Sequence, residues 1–174
     1  MPTTTNHLRL QECAPQHLVA MIDTPEQFED IVGLPIANGL RELYTSGEVS
    51  SAWLDTLRKS THADPWQHGF FMVDRERGCV VGAAGFKGPP DAEGMVEIAY
   101  GVAPEYQGRG YATEAAQALV DFALADDAVK IVRAHTLPEA NASTRVLTKN
   151  GFRHLGEVTD PEDGRVWRWE LSRP

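Results

Sequence analysis

The sequence is poor in cysteine and contains no long apolar segment. Its two cysteines, Cys13 and Cys79, lie far apart and form no C-x-x-C motif, so we expect two reduced thiols rather than a disulfide. No apolar run approaches the roughly 20 residues that a membrane helix requires. The opening stretch MPTTTNHLRL lacks the apolar core of a secretory signal. These absences predict a cytoplasmic protein without a membrane partner.

Basic side chains are also scarce. The chain has 16 Lys and Arg against 25 Asp and Glu, a formal net charge of −9. This surplus repels nucleic-acid phosphates and no local basic patch offsets it, so no nucleic-acid partner is expected. The histidine pairs His7/His17 and His62/His68 lack metal-ligand spacing, and no metal is predicted. At 174 residues, 42% apolar and 24% charged, the chain predicts one globular domain, residues 1–174.

A glycine-rich turn, Gln107–Ala112, lacks both common nucleotide-binding motifs. A P-loop needs Gly-Lys followed by Ser or Thr, but Gly110 is followed by Tyr111. A dinucleotide fingerprint needs a third glycine three residues after Gly110, where the sequence has Thr113. The sequence therefore supports neither of these nucleotide-binding folds.

The same turn lies between a strand pattern and a helix pattern. Apolar residues alternate through Met95–Val102, as in a β-strand, and Pro104 ends the pairing pattern. From Ala112 onward the apolar residues recur on one helical face. The first N–H groups of such a helix have no intrahelical partner and can bind a phosphate. An ordinary glycine turn between strand and helix is the alternative interpretation.

Two segments carry a resemblance to a known family. Gln107, Gly110 and Ala112 match the acyl-CoA signature Q-x-x-G-x-A in a strand-to-helix context, and NASTRVLTKNGF (Asn141–Phe152) forms a second matching segment. Together, over roughly Val80–Leu171, they resemble the GNAT superfamily of N-acetyltransferases. The second segment is similar to the branch of ribosomal-protein alanine and serine N-terminal acetyltransferases. The resemblance favours the phosphate-binding interpretation of the turn.

The order of predicted elements agrees with that resemblance. The patterns give a strand, helices, three strands, a helix, a strand, a helix and two strands, which predicts an α/β fold with a mixed sheet. The resemblance implies a GNAT-like three-layer sandwich whose mostly antiparallel sheet splays between its fourth and fifth strands. Here these strands would be Met95–Val102 and Lys130–Thr136, with the pantetheine arm of the cofactor in the gap.

Two local signals predict structure in the N-terminal half. Thr24 is a candidate N-cap, Pro25 occupies the first helical position, and Gln27 can complete a capping box. Residues 60–68, with Pro65 near their middle, have a loop-like composition.

The resemblance implies an activity. The chain would transfer an acetyl group from acetyl-CoA to a primary amine by direct attack in a ternary complex, without an acyl-enzyme. The acceptor stays open between a protein N-terminus, which the branch suggests, and a small-molecule amine or antibiotic. The alternative is a non-catalytic acyl-CoA-binding sensor or interaction domain with the same fold. A homodimer is usual in this branch.

The resemblance also implies the residues that contact the cofactor. The backbone of Val102 and Ala103 would bind pantetheine, and Asn141 would contact its amides. The turn would bind the pyrophosphate through six consecutive residues: Gln107, Gly108, Arg109, Gly110, Tyr111 and Ala112. The family commonly has N-x-x-S, whereas Asn141 and Ser143 are two positions apart in this chain.

Two residues compete for the role of general acid. Many members of the family carry a tyrosine acid four residues before the Gly-Phe pair, and this chain has Leu147 there. A serine at the position of Ser143 lies beside the cofactor sulfur in the branch resembled. The resemblance therefore leaves Ser143 and Tyr100, and the alternative for Ser143 is that it only caps its helix.

Glu97 and His135 are the candidates for the general base. Amine attack requires a base because an ammonium is not a nucleophile. Glu97 lies on the central strand, opposite the face that carries Ile98 and Tyr100, and Glu97 and Tyr100 are also the predicted acceptor contacts. His135 lies where other branches place a glutamate base. The alternatives are a solvent-facing carboxylate for Glu97 and a half-buried strand histidine for His135.

Overall fold

The computed structural model describes residues 3–45 and 49–174, and within them it has eight strands and seven α-helices. The strands are β1 (Thr3–Thr4), β2 (Leu8–Glu12), β3 (Phe70–Asp74), β4 (Cys79–Phe86), β5 (Met95–Val102), β6 (Ile131–Thr136), β7 (Arg153–Asp160) and β8 (Gly164–Ser172). The helices are α1 (Pro15–Asp23), α2 (Phe28–Val32), α3 (Glu42–Thr45), α4 (Ser51–Lys59), α5 (Pro65–His68), α6 (Tyr111–Leu124) and α7 (Ala142–Lys149).

The strands form a single mixed sheet in the order β1-β2-β3-β4-β5-β6-β8-β7. Neighbouring strands are antiparallel except β5 and β6, which are parallel. The predicted mixed, mostly antiparallel sheet is therefore confirmed. Because β1 is a two-residue edge strand, the predicted fourth and fifth strands are β5 and β6.

The parallel pair β5–β6 splays apart after three residues. Met95–Glu97 pairs with Ile131–Arg133, and the register ends at Glu97 and Arg133. Beyond that point β5 continues beside β4 as far as Val102, while β6 continues beside β8. The predicted splay is confirmed, and it leaves one edge of β5 open between the two halves of the sheet.

Helices cover the two faces of the sheet, which gives three layers. The alternation of β3 separates the two cores: Phe70 and Met72 belong to the cluster that contains Leu119 of α6, whereas Phe71 and Val73 belong to the cluster that contains Leu18 of α1. All six side chains are at most 2% exposed. Burying a side chain of this size contributes about 1.5–3 kcal/mol, so both faces stabilise the sheet.

Two local predictions in the N-terminal half are correct only in part: Thr24 is the N-cap residue and Pro25 the first residue of a short 3₁₀ helix, but the side-chain capping contact is absent. Thr24 makes no capping contact to the segment after it, because its hydroxyl donates to the Ala20 carbonyl at the end of α1 (3.4 Å). Pro25–Gln27 forms a single 3₁₀ turn instead. Residues 60–68 are not all loop, because the Asp64 carboxylate accepts from the Trp66 N–H (3.0 Å) and caps the short helix α5. Asp-Pro was a usable start signal, since Pro suits the first helical position.

No helix in residues 3–45 and 49–174 is long and apolar enough to cross a membrane.

Candidate active site

The open edge of β5 presents backbone groups to the splay. The Ala103 N–H donates to the Val81 carbonyl (2.8 Å) and the Lys87 N–H donates to the Glu97 carbonyl (2.9 Å). In an antiparallel pair such bonds recur at every second residue, so the odd-numbered residues of β5 bond to β4. The N–H and C=O groups of Tyr100 and Val102 therefore point the other way, into the gap. The Ala103 N–H is already bonded to β4. Of the two residues predicted to bind pantetheine through their backbone, only Val102 therefore faces the gap.

The glycine turn leads from this edge into α6. Gly108 and Gly110 have φ angles of +78° and +84°, values that favour glycine because other residues are strained there. Gly110 is also the N-cap of α6 and no side chain caps the helix. A Cβ placed on either glycine would meet no atom within 4 Å. Because no side chain caps α6, its first-turn N–H groups are left for an anion.

Two side chains of the turn hold it to the rest of the fold. The Gln107 amide donates from Nε2 to the Val102 carbonyl (3.0 Å). Tyr111 is 5% exposed, and its hydroxyl donates to the Asp74 carboxylate. The side chains of these two signature-segment residues therefore position the turn, and the backbone N–H groups remain for a phosphate. Arg109 is exposed and lies 5.1 Å from the Tyr106 ring centroid.

The Asp74 carboxylate, which accepts from the Tyr111 hydroxyl, is itself held by further hydrogen bonds. Its Oδ1 accepts from the N–H groups of Glu76 and Arg77 at 2.9 and 2.8 Å, and its Oδ2 lies 3.1 Å from Arg77 Nη1. Burial alone would raise the pKa of Asp74, but the hydrogen bonds from Tyr111, Arg77 and Glu76 outweigh burial and lower it. The carboxylate thus stabilises the fold above its unfolded-state pKa, and that contribution is lost as the pH falls through the lower folded-state pKa.

Asn141, rather than Ser143, caps α7. The Asn141 Oδ1 accepts from the Thr144 N–H (3.0 Å), and the Thr144 hydroxyl oxygen accepts from the Asn141 N–H (3.0 Å). This reciprocal pair is a capping box. The alternative that Ser143 only caps the helix is wrong, and Asn141 already commits its side-chain oxygen to the helix.

Ser143 meets Tyr100 across the splay. Ser143 lies beside the Tyr100 side chain and lowers the pKa of Tyr100, but burial outweighs the serine and raises that pKa to about 12. The phenol is therefore protonated at neutral pH and can only give a proton. Leu147, at the position of the family's usual tyrosine, is fully buried. The two acid candidates from the sequence therefore lie next to each other.

Glu97 and His135 also form one group, on the opposite face of the sheet. Glu97 Oε2 lies 3.0 Å from Lys87 Nζ and 3.3 Å from His135 Nδ1. Lys87 also lies 3.1 Å from Asp163 Oδ2, in the turn between β7 and β8. Burial alone would lower the pKa of Lys87, but the hydrogen bonds and charges of Glu97 and Asp163 raise it well above its usual value. Glu97 is therefore half-buried beside a permanent cation, rather than a free surface carboxylate.

The hydrogen bonds around His135 define which ring nitrogen carries the hydrogen of the neutral ring. Arg168 donates from Nε to His135 Nε2 (3.1 Å), and because a guanidinium has no acceptor, Nε2 must be the accepting nitrogen. The neutral ring then carries its hydrogen on Nδ1, which is buried, faces Glu97 and makes no hydrogen bond of good geometry within the described residues. Since the lone pair is used by Arg168, His135 is poorly placed to take a proton from an amine.

Glu97, His135 and Asp160 offer ligand atoms within 4.8 Å of one another. A metal ion at Nδ1 would require the ring hydrogen to move to Nε2, where it would oppose the Arg168 N–H. The Lys87 ammonium also holds the Glu97 oxygen at 3.0 Å. These contacts favour a hydrogen-bonded cluster over a metal centre, and the absence of a metal stays a prediction.

Sequence reasoning missed the cations in this cluster. Lys87 lies across the β4–β5 pair from Glu97, and Arg168 lies across the β6–β8 pair from His135. No short motif links either pair, since they are 10 and 33 positions apart in the chain. Only a correct strand register would have placed them together.

Comparison with known proteins identifies the family. The sequence matches the Acetyltransferase (GNAT) domain over residues 8–153. It is 34% identical over 89 residues to an uncharacterized N-acetyltransferase, YjdG, of Bacillus subtilis, a match that covers 51% of each chain. The chain thus spans about half the length of the curated relatives it matches.

Solved structures share the fold over nearly the whole chain. An acetyltransferase of the GNAT family from Bacillus anthracis superposes with a TM-score of 0.65 at 19% identity, over 99% of this chain and 98% of the other. A ribosomal L7/L12 α-N-protein acetyltransferase solved with coenzyme A gives 0.63 at 14% identity, over 98% and 96%. At such identities the likeness concerns the fold. The domain match over residues 8–153, with which this shared fold agrees, shows that this chain belongs to the GNAT acetyltransferase family.

Proposed function

We propose that this chain transfers an acetyl group from acetyl-CoA to a primary amine by direct attack in a ternary complex. The observation that carries the proposal is the open edge of β5, which is followed, after a 3₁₀ turn at Pro104–Tyr106 and the glycine turn, by the uncapped N-terminus of α6. An extended pantetheine arm can pair with the N–H and C=O groups of Tyr100 and with the N–H of Val102 as an added strand would. The pyrophosphate then lies at the N–H groups of residues 108–112, where the helix dipole favours negative charge.

Proton transfer follows from the two groups on either side of β5. The amine nitrogen forms a bond to the acetyl carbon and loses a proton to Glu97, directly or through a water molecule. The carbon–sulfur bond breaks, and the leaving sulfur receives a proton from Tyr100, which Ser143 orients. A backbone N–H of the open edge can stabilise the negative charge on the thioester oxygen. His135 serves as a positioning residue for Glu97, because its own acceptor nitrogen is used by Arg168.

Thermal unfolding with acetyl-CoA, CoA and ATP tests the cofactor site. At about 100-fold above the dissociation constant, binding stabilises the folded state by roughly 2.7 kcal/mol. For a domain of this size the midpoint should rise by about 5–10 °C. We expect this shift with both CoA forms and none with ATP. No shift with millimolar CoA would contradict the proposal.

Thiol release with a panel of amines separates the two functional alternatives. Release that depends on an amine supports the transferase. Binding of acetyl-CoA without release by any amine would favour the non-catalytic acyl-CoA-binding domain, in which the buried Leu147 has replaced the usual acid.

The Gly110→Ala variant tests the phosphate site on α6. Its Cβ would meet no neighbour, but a φ of +84° strains alanine, so the turn is expected to relax and move the first-turn N–H groups. We expect the dissociation constant of acetyl-CoA to rise at least about tenfold by isothermal titration calorimetry. Gly33→Ala is the matched control, because Gly33 has a φ of +83° and equally open surroundings at the end of α2. Equal affinity in the two variants would exclude the turn as the pyrophosphate site.

A further inference from the structure

A cavity of about 530 Å³ lies between α4 and the strands β4 and β5. Its floor consists of small residues on those strands, including Ala83, Gly85 and Ala99, so the backbone is accessible there. Tyr100 and Lys87 also line it. The cavity therefore extends along β5 from Tyr100 to Lys87, the cation that pairs with Glu97, and it is a space in which an acceptor amine can approach the proposed base.

One wall of this cavity is aromatic. The rings of Tyr44 and Trp53 stack with centroids 6.2 Å apart and an interplanar angle of 22°. The indole N–H of Trp53 is satisfied by the Gln67 carbonyl at 2.8 Å, so the exposed part of the ring is apolar. A flat or branched apolar group would bury surface against this wall.

The wall also contains a donor without a partner. His68 is 7% exposed, and its Nδ1 accepts from the Asp64 N–H at 3.0 Å. In the neutral ring the hydrogen is therefore on Nε2, which is buried and has no partner within the described residues. Burial lowers the pKa of His68 and the charge of Asp64 offsets only part of that effect, so the ring is neutral near pH 7. A buried donor without a protein partner is uncommon, and an acceptor atom of a bound molecule can satisfy it.

Charge in the wall is limited. Among the described lining residues the formally charged side chains are Lys87 and Glu162. Lys87 is already paired with Glu97 and Asp163 at 3.0 and 3.1 Å, which leaves the Glu162 carboxylate for an incoming ammonium. One carboxylate suits an acceptor with a single positive charge, whereas a polycationic amine would leave several charges unpaired.

From these contacts we infer that the acceptor is a small monoamine with an apolar or aromatic body and an oxygen that accepts from His68 Nε2. This inference rests on the proposed transferase function and specifies its substrate class. His68 is then a specificity-determining residue, because it distinguishes amines that carry such an oxygen from those that lack it. Phenylalaninamide has all three features, and phenethylamine lacks only the oxygen.

Steady-state kinetics with four amines tests the inference. For the wild-type chain we expect kcat/KM for phenylalaninamide to exceed that for spermidine and kanamycin at least about tenfold. In His68→Leu the ratio of phenylalaninamide to phenethylamine should fall about tenfold or more relative to wild type, because the hydrogen bond is lost for one amine only. The different basicities of the two amines cancel in this comparison. A general structural defect would lower both values together.

Two further variants keep the test decisive. His62→Leu is the matched control, since His62 is exposed and its loss should leave the ratio unchanged. His68→Gln keeps an N–H donor at a similar length and should restore part of the ratio. If His68→Leu does not fold, the Gln variant and the wild-type amine series decide the question.

The measurements distinguish a wrong substrate class from a wrong transferase function. An unchanged ratio in folded His68 variants, or faster acetylation of spermidine or kanamycin, would overturn the substrate class and leave the transferase standing. Absence of thiol release with every amine, in a sample that binds acetyl-CoA, would overturn both.

Discussion

Glu97→Gln is expected to lower kcat/KM for acetyl transfer by about 10²–10⁴-fold, the usual contribution of a general base. The amide has the shape of the carboxylate but cannot take a proton from the amine. His135→Gln should cost far less, about tenfold or below, because the ring orients Glu97 but uses its own lone pair on Arg168. Thiol release with a chromogenic reagent gives both values, and pH–rate profiles show whether the enzyme's own acid limb disappears in the Glu97 variant.

A matched control exists on the same sheet. Glu157 pairs with Arg165 at 3.0 Å on an exposed part of β7, and Glu157→Gln should leave kcat/KM within about twofold. A small effect at Glu97 together with a loss above about 10²-fold at His135 would reverse the two roles. Unchanged rates and pH profiles in both variants would exclude this cluster as the base.

Tyr100→Phe is expected to lower kcat by about 10²–10⁴-fold and to change the dissociation constant of acetyl-CoA by less than about threefold. The phenol is lost from the leaving sulfur, while the backbone of the open edge is unchanged. Ser143→Ala should reduce kcat less, because the serine orients the phenol. Rapid-quench single-turnover measurements separate this chemical step from product release. A larger loss in Ser143→Ala than in Tyr100→Phe would make the serine the acid.

The pH dependence follows from the raised pKa of Tyr100. Its acidic form is present below about pH 12 and is lost only as the pH rises through that value. The wild-type rate should therefore show no enzyme-derived alkaline limb between pH 8 and 10, while the amine deprotonates. The Tyr100→Phe profile should have the same shape at a lower level. A wild-type decline in that range that is absent from the variant would mean that the tyrosine loses its proton earlier.

The fold was accessible from the sequence because its signals are periodic. Alternation through Met95–Val102 and the glycines before Ala112 identified β5, the turn and α6. The splay between β5 and β6 came from family resemblance, since no local pattern encodes a gap between strands. Thr24 illustrates the limit of local signals: its hydroxyl can serve either the helix before it or the segment after it, and the end of α1 was the nearer partner.

The candidate site was predictable only in part, for a different reason. Glu97, His135, Tyr100 and Ser143 were found one at a time as competitors for two roles. Their arrangement into two groups depends on strand register, and on the placement of Ser143 of α7 beside Tyr100. The family resemblance also placed Gln107 and Tyr111 among the residues that bind the pyrophosphate, which stays a prediction. In the structure their side chains bond to Val102 and Asp74, because a loop built on two left-handed glycines needs support from its other residues.

The two side-chain hydrogen bonds that hold the glycine turn bear on the rate at which a cofactor could bind there. Fixing the backbone of one residue costs about 1–2 kcal/mol of conformational entropy. With Gln107 bonded at the start of the turn and Tyr111 at its end, that cost is met when the chain folds rather than when the cofactor arrives. As proposed, acetyl-CoA would meet a preorganised turn, so its binding would not wait for a loop to order. Release of CoA would likewise leave the turn ready for the next reaction.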